Sequence, residues 1–199
     1  MTCIVGLVDN GRVIIGGDSA GVTTSWGIST RRDPKVGLVG EFAIGFTDSF
    51  RMGQVLLYRF RPPELYHDTD LMPYMVGPFV DELRLTLKAA GYAECRNERE
   101  SAGTFLVGIR GRLFRVCSDY QVGEAADKFD SVGCGEGHAL GSLFTTSPDC
   151  PLYTTSLDYP LSARGRVIEA LRAAEHFSGG VRSPFNLIET PVAVSPVAP

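Results

Sequence analysis

The stretch TCIVGLVDNGRVIIGGDSAG, residues 2–21, decides the fold class of this chain. Residues 3–9 are apolar and rich in β-branched side chains, and residues 12–17 repeat this composition. Asn10-Gly11 between them suits the positive φ angles of a two-residue turn. The pattern therefore predicts a β-hairpin at the start of the chain.

Two further hairpins and a last strand follow from the same kind of pattern. KVGLV (35–39) and FAIGF (42–46) flank one Gly-containing turn, and TFLVGI (104–109) and LFRVC (113–117) flank another. A final strand is expected near residues 185–189. The Gly/Ser/Thr-rich stretch 19–30 is expected to form a loop.

Apolar side chains three and four residues apart predict four helices. The first helix is expected after a cap at Thr47 or Asp48 and should end at Pro62-Pro63. The second is expected over residues 76–87, with Pro78 near its first turn and Gly91 at its C-terminal end. The third should begin at the glycine turn 133–135, and the fourth should cover residues 161–176.

Hairpins and helix pairs thus alternate twice along the chain before the last strand. This order suits an α+β fold, a four-layer αββα sandwich of two antiparallel sheets flanked by helix pairs. We expect residues 1–190 to form one domain. The Pro-rich tail, residues 191–199, is expected to be an extended arm or disordered.

Composition excludes several classes of function. The 199 residues carry a net charge of -4, which disfavours nucleic acid and acidic membrane surfaces as partners. No apolar run reaches the roughly 20 residues of a membrane-spanning helix, and the chain start lacks the features of a signal peptide. A cytoplasmic protein is expected.

The metal-ligating residue types form no recognisable site in the sequence. The five cysteines are widely spaced without a CxxC pair, so neither a disulfide framework nor a zinc cluster is indicated. Most of them are expected to be buried thiols. His67, His138 and His176 stand far apart, and we expect no metal and no cofactor.

Thr2 combines a nucleophile and a proton acceptor in one residue once it is the first residue of the chain. Methionine is trimmed before small residues, and removal of Met1 would leave a residue with both a hydroxyl and a free α-amine. An α-amine has a pKa of about 7.7 to 8.0, so it can accept the hydroxyl proton near neutral pH.

Lys35 and Asp18 fit the same scheme. A cation near the Thr2 oxygen favours the developing alkoxide, and a carboxylate beside that cation lowers the cost of its burial. Considered one at a time, Asp18 is also typical of a turn and Lys35 of a solvent-exposed loop.

At these residues the chain resembles proteasome β-type subunits, especially the HslV-like and proteasome-like bacterial members of the N-terminal nucleophile (Ntn) hydrolases. The resemblance places Thr2 on the family's nucleophile, Asp18 on its aspartate and Lys35 on its active-site lysine. FAIGFTDSF resembles the family's oxyanion-hole turn, which places that role on the Gly45 N–H.

Three more residues enter through this resemblance, as groups that position the N-terminal amine. VGCGEGHALGSL resembles the family's GSG turn and the helix after it, with Cys134 in place of the usual serine. EHFSGG resembles the family's Asp-x-x-Ser-Gly-Gly turn, with Glu175 in place of the aspartate and Ser178 matching the serine. A thiol is a weaker hydrogen-bonding group than a hydroxyl, so the amine's position is expected to differ.

The resemblance implies a threonine peptidase that acts on polypeptides, assembles into rings and works with an ATPase unfoldase. Two alternatives stay open. One is an amidohydrolase of the same fold acting on a small non-peptide amide, because fold does not determine substrate. The other is a non-catalytic scaffold subunit that retains Met1.

Overall fold

The computed structural model describes residues 1–96, 99–148, 150 and 161–192. The strands are β1 (Cys3–Asp9), β2 (Arg12–Gly17), β3 (Ala20–Val22), β4 (Ile28–Thr30), β5 (Val36–Val39), β6 (Phe42–Phe46), β7 (Glu94–Arg96), β8 (Arg99–Ser101), β9 (Phe105–Ile109), β10 (Arg112–Val116), β11 (Val122–Glu124), β12 (Phe129–Gly133) and β13 (Asn186–Glu189). The helices are α1 (Phe50–Tyr58), α2 (Leu71–Tyr74), α3 (Val80–Ala89), α4 (Glu136–Thr145) and α5 (Ala163–Phe177), and a π-helical turn, Met75–Phe79, joins α2 to α3.

The strands form two main sheets with antiparallel neighbours. One sheet has the order β12-β1-β2-β13, so strands from the second half of the chain flank the N-terminal hairpin. The other has the order β11-β10-β9-β6-β5. Two short hairpins, β3–β4 and β7–β8, stand apart from these sheets.

The two sheets pack face to face, and helices cover both outer faces. Ile4 and Val13 lie in the core between the sheets, whereas Val5 and Ile14 face α4 and α5. Strands β1 and β2 therefore bury both faces, which explains their nearly continuous apolar sequence. The helices α1 to α3 cover the other sheet through a core rich in phenylalanine. The predicted four-layer αββα sandwich is confirmed.

The predicted turn at the start of the chain is also confirmed. Asn10 and Gly11 have φ angles of 46° and 74°, and they join β1 to β2. A Cβ on Gly111, in the turn between β9 and β10, would lie 3.1 Å from the Gly11 Cα. The tips of two hairpins from opposite sheets therefore meet at one end of the sandwich.

Two predicted helix starts are wrong. Ser49, rather than Thr47 or Asp48, caps α1, because its hydroxyl accepts the N–H groups of Arg51 and Met52. The second predicted helix begins earlier, at α2. Pro78 therefore lies inside the helical segment, in the π-helical turn, rather than near a first turn. Proline lacks an N–H and clashes with the preceding turn, and a locally widened helix relieves both problems.

Several short strands were not expected from the sequence. Residues 20–30, predicted as part of a loop, contain β3 and β4. The strands β7, β8, β11 and β12 were also not predicted. Residues 193–199 of the predicted tail lie outside the described residues. None of the described helices is long and apolar enough to span a membrane.

Candidate active site

The sheets bring the ends of three strands together at the edge of the sandwich. Thr2 directly precedes β1, and the Asp18 N–H donates to the Cys3 carbonyl at 3.3 Å as the ladder between β1 and β2 continues. Lys35 directly precedes β5, and its carbonyl accepts the Phe46 N–H at 3.0 Å. Three residues spread over 34 positions of sequence thus reach one place.

Asp18 and Lys35 form a buried ion pair. The Lys35 Nζ lies 2.8 Å from the Asp18 Oδ1, and their side chains are 1% and 0% exposed. The Asp18 carboxylate also accepts three backbone N–H groups, from Cys3 at 3.0 Å, Ala20 at 2.8 Å and Arg182 at 3.2 Å. A buried carboxylate with four donors is fully satisfied, as burial of a charge requires.

Burial and pairing act on Lys35 in opposite directions. Removal from water lowers the pKa of the Lys35 ammonium below its usual value, and the charge and hydrogen bond of Asp18 partly offset this effect. The lysine is therefore a cation whose charge depends on its carboxylate partner.

Thr2 is buried and lines a small cavity of about 50 Å³ together with Lys35. The cavity is completed by Met1, Val22, Phe46, Thr47, Asp48, Ser49 and Phe50. In the chain with Met1 present, the Thr2 Oγ1 donates to the Met1 carbonyl at 2.5 Å. Thr2 and Lys35 thus line the same small cavity.

Cys134 and Ser178 lie beside the Thr2 nitrogen. The Thr2 N–H donates to the Cys134 Sγ at 3.3 Å, and the Ser178 Oγ donates to the same sulfur at 3.3 Å. Cys134 is exposed, which contradicts the expectation of a buried thiol. Only Cys3 and Cys150 of the five cysteines are buried, so the expectation that most are buried is wrong.

Glu175 does not join this group. Its Oε1 accepts the Ser183 N–H at 2.6 Å, and no contact between Glu175 and Thr2 is found among the described residues. The longer side chain is directed to the loop that follows α5.

Gly45 lies within the sheet rather than at the cavity. It stands opposite Leu106, and the Thr47 N–H donates to the Thr104 carbonyl two positions further along the same ladder. In an antiparallel ladder every second residue points its N–H to the same neighbour, so the Gly45 N–H is directed to β9. A Cβ on Gly45 would lie 2.5 Å from the Ile4 Cγ2, which explains the glycine as a residue of the packed core.

Asp48 is a residue of the cavity that sequence reasoning did not assign to the site. It has a φ of 63°, and its Oδ2 accepts the Thr104 N–H at 2.8 Å, which holds this uncommon conformation. Over the described chain no protein acceptor is found for the Asp48 N–H. Its place in the quoted FAIGFTDSF motif was the available signal, but the φ angle was not visible in the sequence.

Gly133 holds the chain close to the nucleophile. It has a φ of 103°, and a Cβ there would lie 2.2 Å from the Thr2 carbonyl oxygen. Only glycine fits this approach of two backbones. In the described part of the chain, no group of three or more His, Cys, Asp or Glu side chains could hold a metal ion.

This four-layer αββα architecture is the fold of proteasome-like Ntn hydrolases. No known family model and no curated protein sequence matches the chain. Solved structures do match. BPH from Thiobacillus denitrificans is 21% identical, with a TM-score of 0.73 over 98% of this chain and 99% of that chain.

Two other similar structures come from different organisms. The eukaryotic HslV from Trypanosoma brucei is 14% identical, with a TM-score of 0.62 over 94% of this chain and 98% of that chain. Anbu, an ancestral beta-subunit from Yersinia bercovieri, is 15% identical, with a TM-score of 0.59 over 95% of this chain and 81% of that chain. These likenesses establish that the chain has the proteasome-like fold.

Proposed function

We propose that this chain is a threonine-type Ntn hydrolase that cleaves peptide bonds through an acyl-enzyme on Thr2. The observation that carries the proposal is the buried Asp18–Lys35 pair beside the Thr2 cavity. Burying two charges costs free energy that a merely structural role would avoid with apolar side chains. A cation that lines the same cavity as a hydroxyl can stabilise a developing alkoxide.

The reaction would begin after removal of Met1. The Thr2 Oγ1 attacks the carbonyl carbon of the peptide, and the Thr2 α-amine accepts the hydroxyl proton and passes it to the leaving amine. The Lys35 ammonium stabilises the alkoxide as it forms. Water then hydrolyses the ester on Thr2 and regenerates the hydroxyl.

We assign the oxyanion hole to the Asp48 N–H rather than to Gly45. An oxyanion donor must be available to the reacting carbonyl. Asp48 lines the cavity and no protein acceptor is found for its N–H in the described chain, whereas the ladder directs the Gly45 N–H to β9.

Cys134 and Ser178 would position the Thr2 amine. Both lie in one hydrogen-bonded chain that ends at the Thr2 nitrogen. In this proposal Cys134 replaces a hydroxyl as the group nearest to the amine and is not itself the nucleophile.

A protein that retained Met1 would instead be a second candidate, a non-catalytic subunit. While Met1 is present, the Thr2 nitrogen is an amide that cannot accept a proton, and the Thr2 hydroxyl donates to the Met1 carbonyl. The Met1 side chain also packs where a Cβ on Gly180 would lie, 2.4 Å from the Met1 Cβ. The intact mass of the purified protein distinguishes the two candidates.

The proposal is tested on one preparation of known intact mass. We expect a mass without Met1, hydrolysis of fluorogenic peptides, and one adduct of epoxomicin on the peptide that begins at Thr2. Epoxomicin is the probe because the Thiobacillus denitrificans BPH was also solved in complex with it. Thr2→Ala should lose hydrolysis and the adduct, and Thr2→Ser should keep part of both. Full hydrolysis by protein that retains Met1 would refute the mechanism.

We further propose that residues 1–190 act as one domain and that copies of it assemble into rings in the cytoplasm. Ring closure would enclose the Thr2 sites and keep folded proteins away from them. Light scattering at micromolar concentration tests this, and a monomer would count against it. An ATPase unfoldase stays a prediction, tested by the stimulation of protein degradation when ATPase and ATP are added.

A further inference from the structure

The loop at residues 178–184, which follows α5, forms one wall of the Asp18–Lys35 site. Its Arg182 N–H donates to the Asp18 Oδ2 at 3.2 Å, and the Arg182 carbonyl accepts the Ser19 N–H at 2.7 Å. This loop, called here the 178–184 loop, therefore supplies one of the four hydrogen bonds of the buried carboxylate.

Glu175 holds the same loop from the other side. The Glu175 Oε1 accepts the N–H of Ser183, the residue directly after Arg182, at 2.6 Å. Two adjacent peptide N–H groups thus donate to two different carboxylates, Asp18 and Glu175. The position of Arg182 is consequently fixed between a buried acceptor and a more exposed one.

The placement of Glu175 is not explained by the helix that carries it. It lies in the last turn of α5, where the helix dipole disfavours a negative charge. A hydrogen bond from the Ser183 N–H to the carboxylate offsets that cost, since such charge-assisted bonds are stronger than neutral ones.

We propose that Glu175 is a positioning residue that keeps the 178–184 loop closed over Asp18 and so keeps water away from Lys35. Only the effect of Glu175 on catalysis rests on the proposed function. Closure of the loop can be tested without any substrate, through the pKa of Lys35. The resemblance had placed Glu175 at the Thr2 amine. In the structure Glu175 instead acts on Asp18, through its hydrogen bond to the Ser183 N–H and the hydrogen bond of the adjacent Arg182 N–H to Asp18.

The chain offers a direct readout, because it contains only three lysines, Lys35, Lys88 and Lys128. An amine reacts with acetic anhydride only when it is unprotonated, so the pH dependence of acetylation, followed by peptide mass spectrometry, measures the pKa of each lysine. Asp18, Asp33 and the Cys3 and Cys134 thiols are titratable groups that interact electrostatically with Lys35. Lys88 and Lys128 report whether the variant is otherwise unchanged.

Opening the loop should raise the pKa of Lys35, because burial is the largest cause that lowers it. We expect Glu175→Ala to raise the pKa of Lys35 and to slow peptide hydrolysis about tenfold, which corresponds to about 1.4 kcal/mol. Glu175→Gln keeps an oxygen that can accept the Ser183 N–H and should resemble the wild type. Glu175→Asp, one methylene shorter, should resemble Glu175→Ala.

The matched control is Glu169→Ala on the same helix. Glu169 is paired with Arg172 at 2.6 Å, one turn along α5. It should leave the pKa of Lys35 and the hydrolysis rate unchanged. An unaltered pKa of Lys35 in Glu175→Ala, an equal change in Glu169→Ala, or failure of Glu175→Gln to restore the wild-type value would overturn the proposal. Absence of hydrolysis in the wild type, with the pKa change present, would instead refute the proposed function alone.

Discussion

Asp18→Asn should reveal how strongly Lys35 depends on its partner. Each Asp18 oxygen accepts two donors: Oδ1 accepts the Lys35 Nζ and the Cys3 N–H, and Oδ2 accepts the Ala20 and Arg182 N–H groups. Whichever oxygen becomes an NH₂ group, two donors lose their acceptor. Removing one partner of a buried pair costs about 3–5 kcal/mol, and we expect a loss of that size in the free energy of unfolding at pH 7.

The sign of the pH dependence follows from the lowered pKa of Lys35. Without Asp18 the folded-state pKa falls further below the unfolded value of about 10.4, because burial acts unopposed. Between these two pKa values the unfolded chain binds more protons than the folded chain, so the stability of the variant rises with pH. The deficit relative to the wild type is therefore largest at low pH and shrinks as the pH approaches 10.

Urea unfolding at pH 6 to 10 and constant protein concentration measures this deficit. Lys35→Met removes the cation and keeps an unbranched apolar chain, so it is the matched partner in a double-mutant cycle. The double variant Asp18→Asn/Lys35→Met should be more stable than Asp18→Asn alone. A deficit below about 1 kcal/mol at pH 7, or a deficit that grows toward pH 10, would refute the reasoning about a buried charged pair.

Three further predictions concern residues around Thr2. Gly133→Ala should lower the free energy of unfolding by about 3 kcal/mol and lose hydrolysis, because its Cβ would meet the Thr2 backbone. Gly137→Ala, in open space on α4, should instead be stabilising in the same urea titration. Cys134→Ser should preserve or raise kcat in peptide hydrolysis, and Cys134→Ala should lower it, since serine keeps an acceptor for the Thr2 nitrogen. Burial raises the pKa of Cys3 to about 12, so ionisation favours the unfolded chain above its usual pKa and stability falls as the pH rises. The wild type should lose about 3 kcal/mol by pH 11 through this group, and urea unfolding of Cys3→Ala should lack that part of the decrease.

Local patterns were sufficient for most of the architecture. The Asn10-Gly11 turn and the apolar runs around it predict β1 and β2, because Asn and Gly adopt the positive φ angles of a two-residue turn more readily than other residues. The residues at which the helices begin were harder to predict from the sequence. Thr47, Asp48 and Ser49 are all capping residues by composition, and only the direction of the chain as it leaves β6 selects Ser49.

Site residues divide in the same way. The sequence by itself determined which groups have suitable chemistry: a hydroxyl at Thr2, a carboxylate at Asp18 and an ammonium at Lys35. Tertiary structure decided how they are used. Strands distant in sequence bring Lys35 beside Thr2 and bury it against Asp18, whose carboxylate offsets the cost of burying the ammonium.

Backbone donors were decided by tertiary structure alone. Every residue except proline carries the same N–H, so its availability depends on the neighbouring strand and not on the side chain. The ladder with β9 directs the Gly45 N–H to its neighbour, and the 178–184 loop brings the Arg182 N–H to Asp18. The turn before α1 leaves the Asp48 N–H without a protein acceptor among the described residues. The sequence determined the reactive side chains, and the packing of the sheets determined which backbone groups surround them.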